Sequence, residues 1–481
     1  MGRHETGRHT GGRMVLSRGL GFAGRWRIAA LLGIGVAALA LLLTTCAGRP
    51  GDDAGRRGAD RTRERPVTAA PGWGLTHTQY SADRGTEQGR RAAERTLSAQ
   101  PLTQNQHIMG WGASNPEPSP GRYDFADLDR RVDLMRRTGA TPVLTLCCAP
   151  DWMKGGKPGD TDWSQQALET APTPEHYADF AELAGKVARR YPDVRHFIVW
   201  NELKGFYDDD RNRWDYEGYT KLYNLVYAEL KRQNAHNLVG GPYVVADSEP
   251  PGAAGDFNGS GGSGGSPAVS GPWGSLDQRS ADVITYWNRH KAGADFVVVD
   301  GSSYTREGDQ LLPDEFGATA KFTDVTRWLR ETTRLPVWWA EWYVEPPDAD
   351  DDRDGWSEPH RLAVQAAGMT RLAQGGTAAA LYWNPQDTGA KCPGCLWRST
   401  ELAGGGRPLP MMDLLGRFAR EFPPGTRFRA VDIAADDRPN VVVLADDDAL
   451  LVVNTLKRPI QAKIDGRSFD MDGYEVRWFK R

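Results

Sequence analysis

From Trp73 onward, short apolar runs recur along the chain, separated by stretches whose apolar residues fall at helical spacing. The clearest run is Phe197-Ile198-Val199-Trp200, which follows the polar Arg195-His196 and stops abruptly at Asn201-Glu202. Four large apolar residues in succession predict a strand buried on both faces, as in a parallel sheet. Seven further runs predict strands at Trp73–Thr76, His107–Trp111, Pro142–Cys147, Leu238–Tyr243, Phe296–Val299, Val337–Ala340 and Ala378–Trp383. Between them, Tyr123–Thr138 and His176–Arg190 carry apolar positions at helical intervals, and Tyr216–Gln233, Leu276–Lys291, Phe322–Thr332 and His360–Gly375 complete a set of crossover helices. Eightfold strand–helix alternation over this length predicts an α/β (β/α)8 TIM barrel. A doubly wound sheet would want a Gly-rich phosphate turn after its first strand, whereas Gly72-Trp73-Gly74 opens that strand.

The pattern changes at both ends. Beyond Arg407, a helix at Met412–Glu421 is followed by short strands at Val441–Leu444, Leu450–Asn454, Gln461–Ile464 and Tyr474–Phe479, which predict a small C-terminal antiparallel β domain over 408–481, with the barrel over 71–407. At the other end, a basic segment 1–27 with Arg18, Arg25 and Arg27 leads into an uncharged apolar run, so that 28–45 reads as a signal peptide or membrane anchor. Leu43-Thr44-Thr45-Cys46 is similar to a lipobox, with Thr45 where Gly, Ala or Ser is usual, so a lipid on Cys46 is a third reading. Residues 46–70 offer almost nothing to bury and predict a disordered tether. The globular part is then expected outside the cytoplasm, exported and secreted or held at the cell surface, with membrane contact only through this N-terminal segment. Gly255–Ser266 is Gly-Ser low complexity, a flexible loop.

Composition adds exclusions. The 481 residues are 39% hydrophobic and 10% aromatic with a net charge of −4, enough for a sizeable core and without the basic footprint of a nucleic-acid binder. Besides Cys46, the cysteines are Cys147-Cys148 and Cys392-Pro393-Gly394-Cys395. In an oxidising compartment the second pair can close a small disulfide, although four cysteines allow three pairings. Two adjacent ligands make a poor zinc tetrahedron, and no phosphate-binding Gly loop or zinc-protease helix is present; neither metal nor organic cofactor is expected.

Candidate chemistry sits where apolar strands stop at carboxylates. Active sites of (β/α)8 barrels lie at the C-terminal ends of the strands, which makes Glu202 a candidate. Val337-Trp338-Trp339-Ala340-Glu341 repeats the design three strands later, and Glu345 is a weaker alternative beyond that run. Trp200-Asn201-Glu202 on a fourth strand and Trp339-Ala340-Glu341 on a seventh resemble the motifs of the clan of retaining glycosidases with (β/α)8 barrels. Within the clan, Gly240-Gly241-Pro242, Tyr123-Asp124-Phe125 and the small C-terminal β domain are similar to glycoside hydrolase family 39, which includes β-xylosidases and α-L-iduronidases. The resemblance spans roughly Trp73 to the C-terminus.

It implies a carbohydrate substrate, Glu202 as acid/base, Glu341 as nucleophile, and Asn201 on the sugar 2-hydroxyl. Glu202 is expected to hold the proton at rest, its affinity raised by the charge of its partner. His77, Trp111, Asp151, Trp152 and Lys154 are expected to line the cleft. Tyr304 is a candidate donor to the nucleophile, and Trp383 is either a flat wall under a sugar or a core aromatic. Two departures bear on the substrate: Leu203 stands where many clan members have Pro, and the sixth strand ends in Asp300-Gly301-Ser302 instead of a His-containing stretch. A glycan-binding barrel without catalysis and a transglycosidase are the competing readings; the sugar, the linkage and the oligomeric state stay open.

Overall fold

A computed structural model describes residues 72–100, 102–251, 267–307, 310–344, 355–384 and 392–480. The basic segment, the apolar run, the tether with Cys46, the Gly-Ser loop and Glu345 lie outside the described residues. Among the described residues no helix is long and apolar enough to cross a membrane.

Eight parallel strands close into a barrel in sequential order: β1 (Gly72–Thr76), β2 (Thr103–His107), β3 (Thr141–Leu146), β4 (His196–Val199), β5 (Leu238–Val245), β6 (Phe296–Ser302), β7 (Val337–Tyr343) and β8 (Ala379–Trp383). Helices at Ala126–Arg137, Tyr177–Arg190, Tyr216–Gln233, Gln278–His290, Ala320–Thr333 and Glu358–Gly375 occupy the expected crossovers to within a few residues. The first crossover helix, Glu87–Ser98, carries little apolar signal; only Gly89, Ala93, Thr96 and Leu97 are buried, and Thr86 caps it through Gly89 N.

One strand is misplaced by its sequence. The expected run His107–Trp111 is in fact the strand end and the turn after it, with Trp111 at φ 44°. The true β2 is Thr103-Gln104-Asn105-Gln106-His107, polar throughout and wholly buried. Its two faces find different partners, as the twofold alternation of a strand requires. Gln104 bonds His77 and Thr138, and Gln106 receives a bond from Arg131, all on the helix side. Asn105, on the other face, donates to Thr76 Oγ1 and accepts from Thr145 Oγ1 across the neighbouring strands. Burial without apolar surface is tolerable here because these groups are paired.

The rest of the barrel interior is apolar. Val143, Ile198, Tyr243, Phe296, Val298, Trp338, Ala340 and Ala379 fill it from six strands. Phe296 stacks on Trp338 with ring centroids 3.9 Å apart. Gly240 lies beneath this stack, and a Cβ there would come within 2.1 Å of Phe296 Cε2.

The C-terminal residues form two antiparallel sheets, β9 (Val441–Ala445) with β10 (Ala449–Asn454) and β13 (Val476–Lys480), and β11 (Ile460–Ile464) with β12 (Arg467–Met471). The strand β12 is additional to those expected, since Arg467-Ser468-Phe469-Asp470-Met471 has too little apolar content to announce itself. The helix Pro410–Glu421 runs against β1, where Trp73 meets Phe418 at 4.6 Å and donates Nε1 to Phe422 O at 2.9 Å. Cys392 and Cys395 are disulfide-bonded, while Cys147 and Cys148 are free and buried.

The stacked rings above Gly240 leave no room to relax, so Gly240→Ala should cost about 1 to 3 kcal/mol of stability, as overpacking in a full core does. Thermal unfolding of the variant should show a lower Tm; an unchanged Tm would mean that Phe296 and Trp338 can shift.

Candidate active site

The two strand ends singled out by sequence meet at the mouth of the barrel. One carboxylate oxygen from each of Glu202, Asp300 and Glu341 lies within 4.8 Å of the other two. Glu341 sits inside β7, which runs two residues past it to Tyr343, and Asp300 is its register partner on β6. The register of these strands slips between Val299 and Asp300. Parallel neighbours at one level present their side chains to the same face, which brings Asp300 beside Glu341.

Glu202 is held differently. It follows β4 on a tight turn in which Trp200, Glu202 and Leu203 all have positive φ, at 69°, 48° and 48°. For residues with a Cβ this conformation costs about 1 to 3 kcal/mol each, and such strain is retained mostly at functional sites. The turn is pinned by Trp200 Nε1 donating to Lys204 O at 2.8 Å and by Lys204 N donating to Asn201 O at 3.0 Å. Leucine at 203 can take this turn, whereas proline, locked near φ −65°, cannot adopt it.

Each glutamate has a partner of its own. Tyr243 on β5 donates its phenol to Glu341 Oε1. The ammonium of Lys204 lies 2.9 Å from Glu202 Oε2 and 3.1 Å from Glu169 Oε1, with the Trp111 ring 5.9 Å away. Both carboxylates hold this ammonium firmly charged. Burial, then the charge of Glu202, pushes Glu341 up to about 8, against the pull of Tyr243 and Lys204. The raised proton affinity falls on the more deeply buried Glu341.

The other expected residues divide. Asn201 is brought in, with its Oδ1 3.2 Å from His107 Nε2, and His107 stacks on Trp111 at 4.5 Å. Trp383 ends β8, half-buried at the mouth. His77 is fully buried, its ring nitrogens engage Ser81 and Gln104, and burial lowers it to about 4. Trp152 is tied into loop packing by Nε1 donating to Glu117 O at 2.8 Å, and Lys154 by its bond to Ala167 O at 2.6 Å and its approach to Asp151 at 3.5 Å. Tyr304 follows β6 with its ring 5.8 Å from the Arg306 guanidinium, and the phenol on Glu341 is that of Tyr243 instead.

Tyr243, Lys204, His107 and Asp300 are the residues sequence reasoning missed. Asp300 was legible, since Phe296-Val297-Val298-Val299-Asp300 is a third apolar run stopped by a carboxylate. The three carboxylates are also the one group among the described residues spaced for a divalent cation. A cation there would compete with Lys204 for Glu202 and with Tyr243 for Glu341, so the donor set suits protons and ammonium better than a hard metal.

No family model matches the chain. Beta-galactosidase BbgII of Bifidobacterium bifidum is 28% identical over 120 residues, which cover 23% of this chain and 17% of that protein. The chain thus matches less than a fifth of that relative's length. Among solved structures, a GH39 beta-xylosidase from Caulobacter crescentus aligns over 82% of this chain and 80% of its own, at 17% identity and a TM-score of 0.51. A family 39 glycoside hydrolase from the gut symbiont Bacteroides cellulosilyticus aligns over 85% and 80%, at 13% identity and a TM-score of 0.52. The likeness is one of fold: the chain shares the (β/α)8 barrel of these glycoside hydrolases.

The raised affinity of Glu341 has a measurable consequence. Its folded carboxyl near 8 exceeds the ordinary 4.5, so the folded state keeps a proton that the unfolded chain releases, and the stability this gives is lost as pH rises through that window. Glu341→Gln cannot titrate, and its Tm advantage over the native chain should widen between about pH 5 and about pH 8, by up to a few kcal/mol, then level off. A gap that stays constant with pH would show that burial does not hold the proton on Glu341.

Proposed function

We propose that the chain is a retaining glycoside hydrolase acting on O-glycosidic bonds, with Glu341 as nucleophile and Glu202 as acid/base. The observation that carries this reading is the approach of the two carboxylates, with oxygens within 4.8 Å across the barrel mouth. Retaining enzymes hold their carboxyl groups about 5 to 5.5 Å apart, whereas inverting ones leave several ångströms more for a water. The fold supports the reading, as does the naming of the similar proteins as xylosidase and galactosidase.

The chemistry follows from the partners. A glycoside seated between the glutamates develops positive charge at C1 as its bond to the leaving oxygen stretches. That charge lowers the proton affinity of Glu341, and the dyad's proton passes to Glu202, the group beside the leaving oxygen. Glu341 then attacks C1 while Glu202 protonates the departing alcohol, giving a glycosyl ester on Glu341. In the second half, Glu202 takes a proton from water, the hydroxide attacks C1, and Glu341 leaves with the configuration at C1 restored. Tyr243 steadies Glu341 in its ionised form, and Lys204 holds the Glu202 carboxylate in place from 2.9 Å. Asn201, fixed by His107, is placed to meet the sugar 2-hydroxyl. The apolar run before Thr44 favours export, with a cell-wall or plant-type glycan as substrate.

Glu202→Ala and Glu341→Ala should each lose most hydrolysis of an aryl glycoside. Added azide should restore turnover in both, giving glycosyl azides of opposite anomeric configuration, read by NMR. Full activity in either variant would falsify the role given to that residue.

A further inference from the structure

The double displacement uses two of the three carboxylates at the mouth and leaves Asp300 idle. Asp300 is 2% exposed, and its Oδ1 accepts no hydrogen bond. A buried carboxylate oxygen without a donor is costly, and two more carboxylates within 4.8 Å raise that cost. Burial, Glu202 and Glu341 all disfavour its charge, and Asp247 adds to them. The nearby cations are engaged elsewhere: Lys204 on Glu202 and Glu169, and Lys321 through Nζ on Ser248 Oγ at 2.8 Å. Among the described residues no Lys, Arg or His forms an ion pair with Asp300. What its free oxygen lacks is a cationic donor, which a ligand seated among the three carboxylates would bring.

The geometry points to a sugar bearing a free 2-ammonium group, a 2-amino-2-deoxy glycoside, as the substrate, with Asp300 as the residue that selects it. This rests on the glycosidase reading above. In that reading C1 lies between Glu202 and Glu341, and C2 is the next ring atom, so a substituent on C2 falls within reach of a carboxylate placed beside both. The charge balance gives Asp300 a purpose. An ammonium on C2 sits one bond from the centre where the transition state gathers positive charge, and in a neutral cleft it would slow cleavage. A third carboxylate offsets it. An N-acetyl group brings no charge and turns a carbonyl oxygen toward Asp300, and a 2-hydroxyl brings a weaker donor.

The test compares the full chain on 4-nitrophenyl glycosides of glucosamine and galactosamine, their N-acetyl forms, and glucose, galactose and xylose, in both anomers. The free amines should be cleaved with kcat/KM roughly 100-fold above the others, the scale on which a buried charge pair discriminates. Asp300→Asn should remove that preference, lowering the amino-sugar rate roughly 100-fold while moving the hydroxyl-sugar rate less than about tenfold; Asp300→Ser serves if the first variant does not fold. Calorimetry with chitosan and chitin oligomers gives a readout independent of turnover, with binding of chitosan expected and lost in Asp300→Asn. Hydroxyl or N-acetyl sugars cleaved as well as the amines, an undiminished preference in the variant, or absence of chitosan binding would each overturn the inference. So would a Tm rise with calcium alone that disappears in Asp300→Asn, which would make the cluster a metal site. Absence of hydrolysis on every glycoside, with chitosan still bound through Asp300, would instead overturn the glycosidase reading.

Discussion

Three carboxylates cannot stay ionised side by side in a poorly hydrated barrel mouth without compensation, and the site is built around that constraint. At separations under 5 Å, like charges in a medium of low polarisability repel by several kcal/mol. The protein answers in two ways. Lys204 lends a positive charge to Glu202, and burial raises the proton affinity of Glu341 and of Asp300. The two glutamates thus have distinct environments although their chemistry is the same, as the proposed division into acid and nucleophile requires.

Much of the barrel was legible because buried parallel strands read as continuous apolar runs. β4, β6 and β7 declared themselves in this way, and their ends led to Glu202 and Glu341. The exception, β2, shows the limit of the signal. Hydrophobic patterning registers burial in oil, whereas Thr103–His107 is buried among partners of its own kind, with Asn105 bonded across to Thr76 and Thr145. No periodicity within a strand reveals partners supplied by its neighbours.

The site was legible as far as rules reach along the backbone. Glu202, Glu341 and, had the same rule been applied again, Asp300 all follow apolar runs. Tyr243 and Lys204 answer to no such rule, because each acts through a contact made in space: one across two barrel strands, the other around a turn that folds back on itself. His77 and Trp152 show the converse. Position after a strand made them candidates, but Ser81, Gln104 and Glu117 had already claimed their polar atoms. Placement near a strand end is therefore weak evidence until the side chain's own hydrogen bonds are counted.

The two glutamates are mounted differently, and the roles proposed for them fit that contrast. A nucleophile has to be still, and Glu341 lies within a strand, clamped by Tyr243 and flanked by its register partner Asp300. An acid/base must serve two steps, giving a proton to one oxygen and taking it from another. Glu202 sits on a turn of three left-handed residues, outside the sheet, where its position is set by strain and by the Trp200–Lys204 bond in place of a strand ladder. A proline after Glu202 would lock a different turn, and with it a different place for Lys204. Leu203 in its left-handed conformation and the ammonium beside Glu202 are thus two aspects of one local fold.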